Sequence, residues 1–317
     1  MVEYQILSFV NLTKWREIMT KKAFKTTKEL QADVANAVIA QMQTHGTDWL
    51  KSWQGVAGMN PLSMSTGKNY QGINWVILNM YRTARGYSSH QWATFKQWKT
   101  RGASVRKGEK GVGVVFYKSI TIEDKETGEE KSIPMLKFYT VFNSEQVDGY
   151  TDETPAFVPR NDVSVADEFT AQCGAKVQNV DLASAHYAPG PDHINMPYLQ
   201  QFDTPEDYQA TLLHELTHWT GHKSRLDRFY KNEDRTKDYA MEELVAELGS
   251  AMLCGSLEIS STPRVDHAKY LNNWMQALKN DPGVIFKAAA AAAKATDYLV
   301  ALANETKADA AKVQQIA

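Results

Sequence analysis

A chain of 317 residues, 43% hydrophobic and 23% charged, is globular in composition and long enough for two ordinary domains. No window approaches eighteen uninterrupted apolar residues, which excludes a transmembrane helix, and the opening MVEYQILSFV lacks the basic flank and long apolar core of a signal peptide. The net charge of −2 conceals a split: residues 1–150 carry 20 Lys and Arg against 13 Asp and Glu, and residues 151–317 carry 15 against 24. Six of the eight tryptophans also fall in the first half. Such a contrast points to two domains with different partners, the basic one facing a polyanion. Cys173 and Cys254 sit in no C-x-x-C pattern and read as buried thiols of a reduced, cytoplasmic protein.

In chain order, Met19 offers a second start, so residues 1–18 read as an extension and 1–24 as a leader outside the fold. Thr26 and Glu29 stand at capping-box spacing, and Leu30, Val34, Val38 and Met42 recur every four residues, which predicts an amphipathic helix. After a turn-rich stretch, NWVILNMYRTARG and HQWATFKQWKTRG both read as helices closed by glycine. From Val112 the texture turns to β: GVGVVFYKSITIE and IPMLKFYTVFN, separated by a polar, Gly-containing stretch, form a hairpin. The first domain is placed at 25–150, a linker at 151–162 and the second domain at 163–317. The second opens with a helix over about 163–173, then short strands near 176–180 and 193–197. A long helix follows from Thr204 to about His218, with Thr204 as N-cap, Pro205 at its first position and Asp207 closing the box. Another helix covers about 241–253, and two or three more run from Asp266 to the end, including the alanine run Lys287–Ala295. The fold class is therefore α+β. An N-terminal α+β domain precedes a mostly helical C-terminal domain with a small sheet.

His214 and His218 lie four apart on the long predicted helix, so both imidazoles project from one face, as two ligands of one tetrahedral zinc must. Glu215, turned away from the metal, fits the general base of an H-E-x-x-H site. A catalytic site needs a third protein ligand and an open position. The longer version of the motif would put that ligand at position 224, which is Ser224, a poor donor; His222 reads as a bystander. In MEELVAELGS, Glu243 and Glu247 are one turn apart, so one could bind metal while the other accepts a histidine N–H. This resembles the gluzincin arrangement, in which Glu243 is the ligand and Glu247 supports it from behind; Glu242, about 100° round the helix, is the alternative. HINMP, just before the helix, reads as the edge strand along which an extended peptide would lie.

Between Lys68 and Lys118 stand ten Lys and Arg, a single acidic residue, Glu109, and nine aromatics. Basic side chains neutralise phosphate, and exposed aromatics stack on unpaired bases. The candidate contacts are Lys68, Tyr70, Lys99, Arg101, Arg106, Lys107, Lys110 and Lys118, with RGASVRKGEKG as a basic glycine loop feeding a strand. Trp75, Trp92, Phe95 and Trp98 have the spacing of a helix and read more readily as core.

The chain as a whole resembles the ArdC family of plasmid antirestriction proteins, whose N-terminal part is shared with TraC-type plasmid primases. The resemblance rests on TGKNYQGIN, GYSSHQWATFKQWKTRGASVRKGEKG and VVFYK in the first half. In the second it rests on HINMP, HELTHWTGHKSRLDR, YAMEELVAELGSAMLC and the Trp274 helix, covering about residues 25–300. It implies an N-terminal single-stranded-DNA-binding domain and a zincin-like metallopeptidase domain that together protect incoming conjugative DNA from restriction in the recipient's cytoplasm. Double-stranded DNA and a host protein substrate are further candidate partners, and no membrane partner is expected. It assigns His214, His218 and Glu243 to Zn2+ and catalysis to Glu215. Two other readings remain: a non-catalytic DNA coat whose zinc is structural, and a peptidase with an N-terminal protein-recognition domain. A zinc nucleobase deaminase fails for lack of a P-C-x-x-C segment.

Overall fold

The computed structural model describes residues 27–50, 60–123, 130–152, 164–229, 235–259 and 268–316. The leader, Thr26, and nearly all of the proposed linker lie outside the described residues. Helix α1, Thr27–His45, buries the expected stripe: Leu30, Val34, Val38 and Met42 are all fully inaccessible. Strands β1 (Leu62–Ser63) and β2 (Lys68–Asn69) form a small antiparallel corner before helix α2, Gly72–Arg85. Gly86 ends α2 in the left-handed conformation (φ 69°), where its N–H donates to Thr83 O and that of Tyr87 to Arg82 O.

HQWATFKQWKTRG is not one helix. Gln91–Thr94 form β3, and only Phe95–Thr100 turn into the short helix α3. The switch is at Thr94, whose hydroxyl caps the Gln97 N–H while the Gln97 side chain accepts from the Thr94 N–H. Upstream of that cap, β3 pairs parallel with β1 and antiparallel with a later strand, and sheet pairing outweighs the helical spacing of the aromatics. A two-stranded corner follows, β4 (Ser104–Val105) with β7 (Val147–Asp148). Between them runs the long hairpin β5 (Val112–Glu123) and β6 (Glu130–Asn143). The main sheet has the order β2-β1-β3-β6-β5. Its β5 edge is covered at Val115, whose N–H and C=O bond the Asn74 side-chain amide of α2 at 2.8 and 2.7 Å.

The second region begins with α4 (Val165–Gln172), followed by β8 (Lys176–Asn179), β9 (His186–Ala188) and β10 (His193–Met196). This sheet has the order β8-β10-β9, so HINMP is its central strand and not the expected edge; β9, too short to stand out in the sequence, takes the edge. Helix α5, Pro205–Trp219, has the Thr204–Asp207 capping box and N-terminal proline read from the sequence. Helix α6 runs over Arg235–Leu257, longer at both ends than its apolar core suggested. Helices α7 (Ala268–Asn280) and α8 (Val284–Ile316) complete the chain. The alanine run sits in α8 with Ala288, Ala289, Ala292 and Ala295 fully buried, so small side chains there allow close helix approach.

Burial does not follow the sequence halves. The larger core joins α1, α2 and strands β5 and β6 to α6, α7 and the first turns of α8 through Leu244, Leu248, Met252, Trp274 and Ile285. Trp49 meets Trp274 edge-on at 6.5 Å. The second core packs α4, β9 and β10 around α5, the end of α6 and the middle of α8. No helix among the described residues is long and apolar enough to cross a membrane.

Candidate metal centre

Helix α5 carries His214 and His218 on the side facing α6, and both are buried. Their Nε2 atoms stand 3.1 Å apart. Glu243 on α6 completes the group, with Oε2 at 3.6 Å from His214 Nε2 and Oε1 at 3.5 Å from His218 Nε2. Among the described residues this trio is the group of His, Cys, Asp or Glu side chains whose donor atoms converge, all within 4.8 Å of one another. Two nitrogens bound to one tetrahedral zinc at about 2.1 Å each lie about 3.4 Å apart, close to the spacing here.

Carboxylates also stand at the far nitrogens. His214 Nδ1 lies 3.2 Å from Glu247 Oε2, and His218 Nδ1 lies 3.3 Å from Glu242 Oε1. Acidic partners there favour a proton on each Nδ1 and turn both Nε2 lone pairs toward each other and toward Glu243. Lone pairs and a carboxylate crowded in a buried space repel unless a cation sits among them, so the donor set fits a divalent metal. The electrostatics carry the same signature. Burial opposes charge on His218, yet Glu242 and Glu243 outweigh it and raise the imidazole well above its ordinary value, so the surrounding carboxylates favour a cation here, a proton or a metal ion in its place. Burial would likewise raise Glu243, but His214 and His218 hold it well below the usual carboxylate range.

Glu215 points elsewhere. It is buried, and one of its oxygens accepts the backbone N–H of Tyr187 in β9 at 2.8 Å. That N–H therefore faces α5 and not β10, and the edge of the small sheet is fastened to the motif helix. Glu215 is still near enough to favour charge on His218. His222 stays outside the group and meets the Ser224 hydroxyl at 2.7 Å. Glu242 pairs with His218 and with Arg228, whose guanidinium also reaches Thr220 Oγ1 and Thr217 O.

The basic candidates fare differently. Lys68, Lys99, Arg101, Lys107 and Lys110 are exposed. Arg106 is tied down, bonded to Glu109, to Val147 O at 3.4 Å and to Glu145 O at 2.5 Å. Tyr70 is buried, as are Trp75, Trp92 and Trp98, so these rings belong to the interior; Phe95, grouped with them by its spacing, is 55% exposed. The Lys118 side chain lies outside the described residues.

Residues 28–142 match the N-terminal domain of anti-restriction factor ArdC, and residues 164–291 match a zincin-like metallopeptidase. The chain is similar to the crystal structure of the antirestriction ArdC protein from plasmid R388 in its metal-free form. The TM-score is 0.76 at 43% identity, over 87% of this chain and 98% of that one. It belongs to the ArdC family. The Mn(II)-bound structure of the same R388 protein gives a TM-score of 0.72 at 42% identity, over 86% of this chain and 98% of that one. An uncharacterized protein of Sinorhizobium fredii, y4eC, is 35% identical over 91% of this chain and 97% of its own length. The DNA primase TraC of Escherichia coli is 37% identical over 86% of this chain, which spans 27% of the primase. Neither half of the chain could supply a match of that extent, so the likeness to TraC extends past the N-terminal region into the zincin-like one.

Three features of this ArdC-family site are not written in the local sequence pattern. Arg228 steadies Glu242 and hence His218, but nothing in SRLDR announces a partner on another helix. Tyr187 acts through its backbone, which no side-chain pattern reports. Gly249 lets α5 and α6 touch: a Cβ there would come within 2.6 Å of Thr217 Cγ2. A glycine inside an otherwise strong helical run was the available signal.

Proposed function

We propose that this ArdC-family protein protects incoming plasmid DNA from restriction, binding single-stranded DNA through its N-terminal region and holding one divalent cation, zinc by preference, on His214, His218 and Glu243. The convergence of three buried donors, each imidazole backed by a carboxylate, carries the metal part of this reading. Two nitrogens and one oxygen suit zinc, and the R388 relative has been crystallised with Mn(II). When bound, such a cation supplies Lewis-acid polarisation of a carbonyl and a lowered pKa for water. Glu215 is the general base: Tyr187 N–H fixes one oxygen, and the carboxylate beside His218 takes up and returns the proton. Glu247 and Glu242 keep the two imidazoles in the tautomer that leaves Nε2 for the metal.

The basic window supports DNA as partner, with the cytoplasm of the recipient as the place of action. Affinity should fall linearly with salt on logarithmic axes, as phosphate neutralisation requires. The deciding experiment is conjugation into restricting and non-restricting recipients. Loss of protection on joint neutralisation of Arg101, Lys107 and Lys110, with Glu215→Ala still protective, is the expected result. Loss of protection in Glu215→Ala with DNA binding intact would make cleavage of a host protein the operative step.

A further inference from the structure

We propose that Phe116 and Tyr139, on the β5–β6 hairpin, are the base-stacking platform on which this protein holds single-stranded DNA. The proposal rests on the DNA-binding reading above and gives that reading a site. Surface aromatics scattered singly need no explanation, but these two are adjacent. Phe116 is 43% and Tyr139 44% exposed, and their rings meet edge-on at 5.3 Å. Neither belongs to a buried cluster among the described residues. The strand register explains the pairing: Phe116 lies opposite Lys137 and Tyr139 opposite Val114, so both rings and the lysine share one face of the hairpin.

The buried Tyr70 ring lies 6.5 Å from Phe116, which gives that ring a fixed neighbour. Lys68, exposed on β2, precedes Tyr70 by two residues. The platform therefore combines two open rings with Lys137 on their own face, inside a half of the chain whose basic residues outnumber its acidic ones by 20 to 13. That charge sign favours a phosphate backbone as occupant, and open ring faces favour unpaired bases over a duplex, whose bases are already stacked. Phe95, the other exposed ring of this region among the described residues, is separate. It packs on Phe142, which is three residues from Tyr139 and thus on the opposite face of β6.

The test uses the full-length protein, a labelled fifteen-nucleotide oligo-dT and an abasic strand of equal length and charge. Wild type should prefer oligo-dT by ~10-fold or more, because stacking needs bases and phosphate contact does not. Phe116→Ala/Tyr139→Ala should bind both strands at the abasic level with an unchanged salt slope. Phe116→Tyr/Tyr139→Phe should keep the preference, which separates lost stacking from lost fold. Phe95→Ala should also keep it. If the double alanine variant retains the base preference of wild type, or Phe95→Ala alone removes it, the platform is wrong while DNA binding stands. If wild type binds neither strand, the DNA-binding reading falls and the platform with it.

Discussion

The metal centre and the basic sheet present opposite arrangements of charge. Around His214 and His218 the ionisable groups are buried, and each is held by a partner on another element: Glu243, Glu247 and Glu242 from α6, and Arg228 on Glu242 from the turn after α5. On the basic side Lys68, Lys99, Lys107 and Lys110 are exposed, and Arg106 is the basic candidate most bound into its surroundings. A site that must hold a cation in a fixed geometry needs its ligands at set intervals on rigid helices. A surface that meets a flexible polyanion needs only charge and ring faces in roughly the right area. The first is sensitive to sub-ångström changes far from any ligand, and the second tolerates the loss of single side chains.

The largest effect should come from His214→Ala/His218→Ala. Metal content should fall from about one ion per chain to none. The variant also leaves Glu242, Glu243 and Glu247 buried without their imidazoles, which costs about 3–5 kcal/mol in urea unfolding. Equal metal in variant and wild type would remove the contrast drawn above.

A smaller change should sharpen it. Gly249→Ala alters no ligand, yet its Cβ would press on Thr217 Cγ2 at 2.6 Å and Oγ1 at 2.9 Å. Forcing α5 from α6 should cost about 1–3 kcal/mol and weaken metal binding in a chelator competition. Thr217→Ala in the same chain, removing both clashing atoms, should restore much of it.

On the sheet, Arg106→Ala and Lys107→Ala should part company. Arg106 holds the β4–β7 corner, so its loss should cost about 1–2 kcal/mol of stability. Lys107→Ala should leave stability within about 0.5 kcal/mol and lower the slope of log affinity against log salt by about one. Equal destabilisation by both would mean that the sheet's charges are as tightly bound in as those of the metal centre.

The smallest effect concerns Asp192, which anchors β9. The Arg225 guanidinium, bonded to it from the turn after α5, holds its carboxyl down to about 2 against the pull of burial, with Tyr187 OH as a further donor. A depressed carboxyl contributes stability that is complete above its ordinary value near 3.8 and lost as pH falls through about 2. The stability gap between wild type and Asp192→Asn should therefore stay constant from about pH 8 to 5 and close between about pH 4 and 2. A gap that persists at pH 2 would show that Arg225 does not act through the Asp192 charge.

Legibility in the sequence followed the same division. His214 could be paired with His218, and Glu243 with Glu247, because helix periodicity converts sequence spacing into spatial proximity, whereas joining the two pairs with Glu243 as ligand rested on the resemblance to gluzincins. Thr204, Pro205 and Asp207 marked the start of α5 for a similar local reason. What was missed depends on distant chain. Trp92 has the spacing of a helix but lies in a strand, because β1 and β6 pair with it from either side. HINMP was assigned an edge that β9 occupies, since the order of strands in a sheet is not written in any one of them. Tyr70 was grouped with exposed rings, while Phe116 and Tyr139, ordinary members of an alternating strand pattern, passed unremarked.

The larger core has a consequence for how the protein comes into being. Leu30, Val34 and Val38 of α1 and Trp75 of α2 share one cluster with Leu244, Leu248, Trp274 and Ile285, made some two hundred residues later. During synthesis the first helices emerge with part of their apolar cover still untranslated. They complete their packing only when α6, α7 and α8 leave the ribosome, and contacts between such distant parts of a chain form slowly. A ribosome stalled before α6 would thus hold a chain whose N-terminal helices are open to chaperones, and release of the last helices would close them. The N-terminal helices are finished by the helix that carries Glu243 and by the two that follow it.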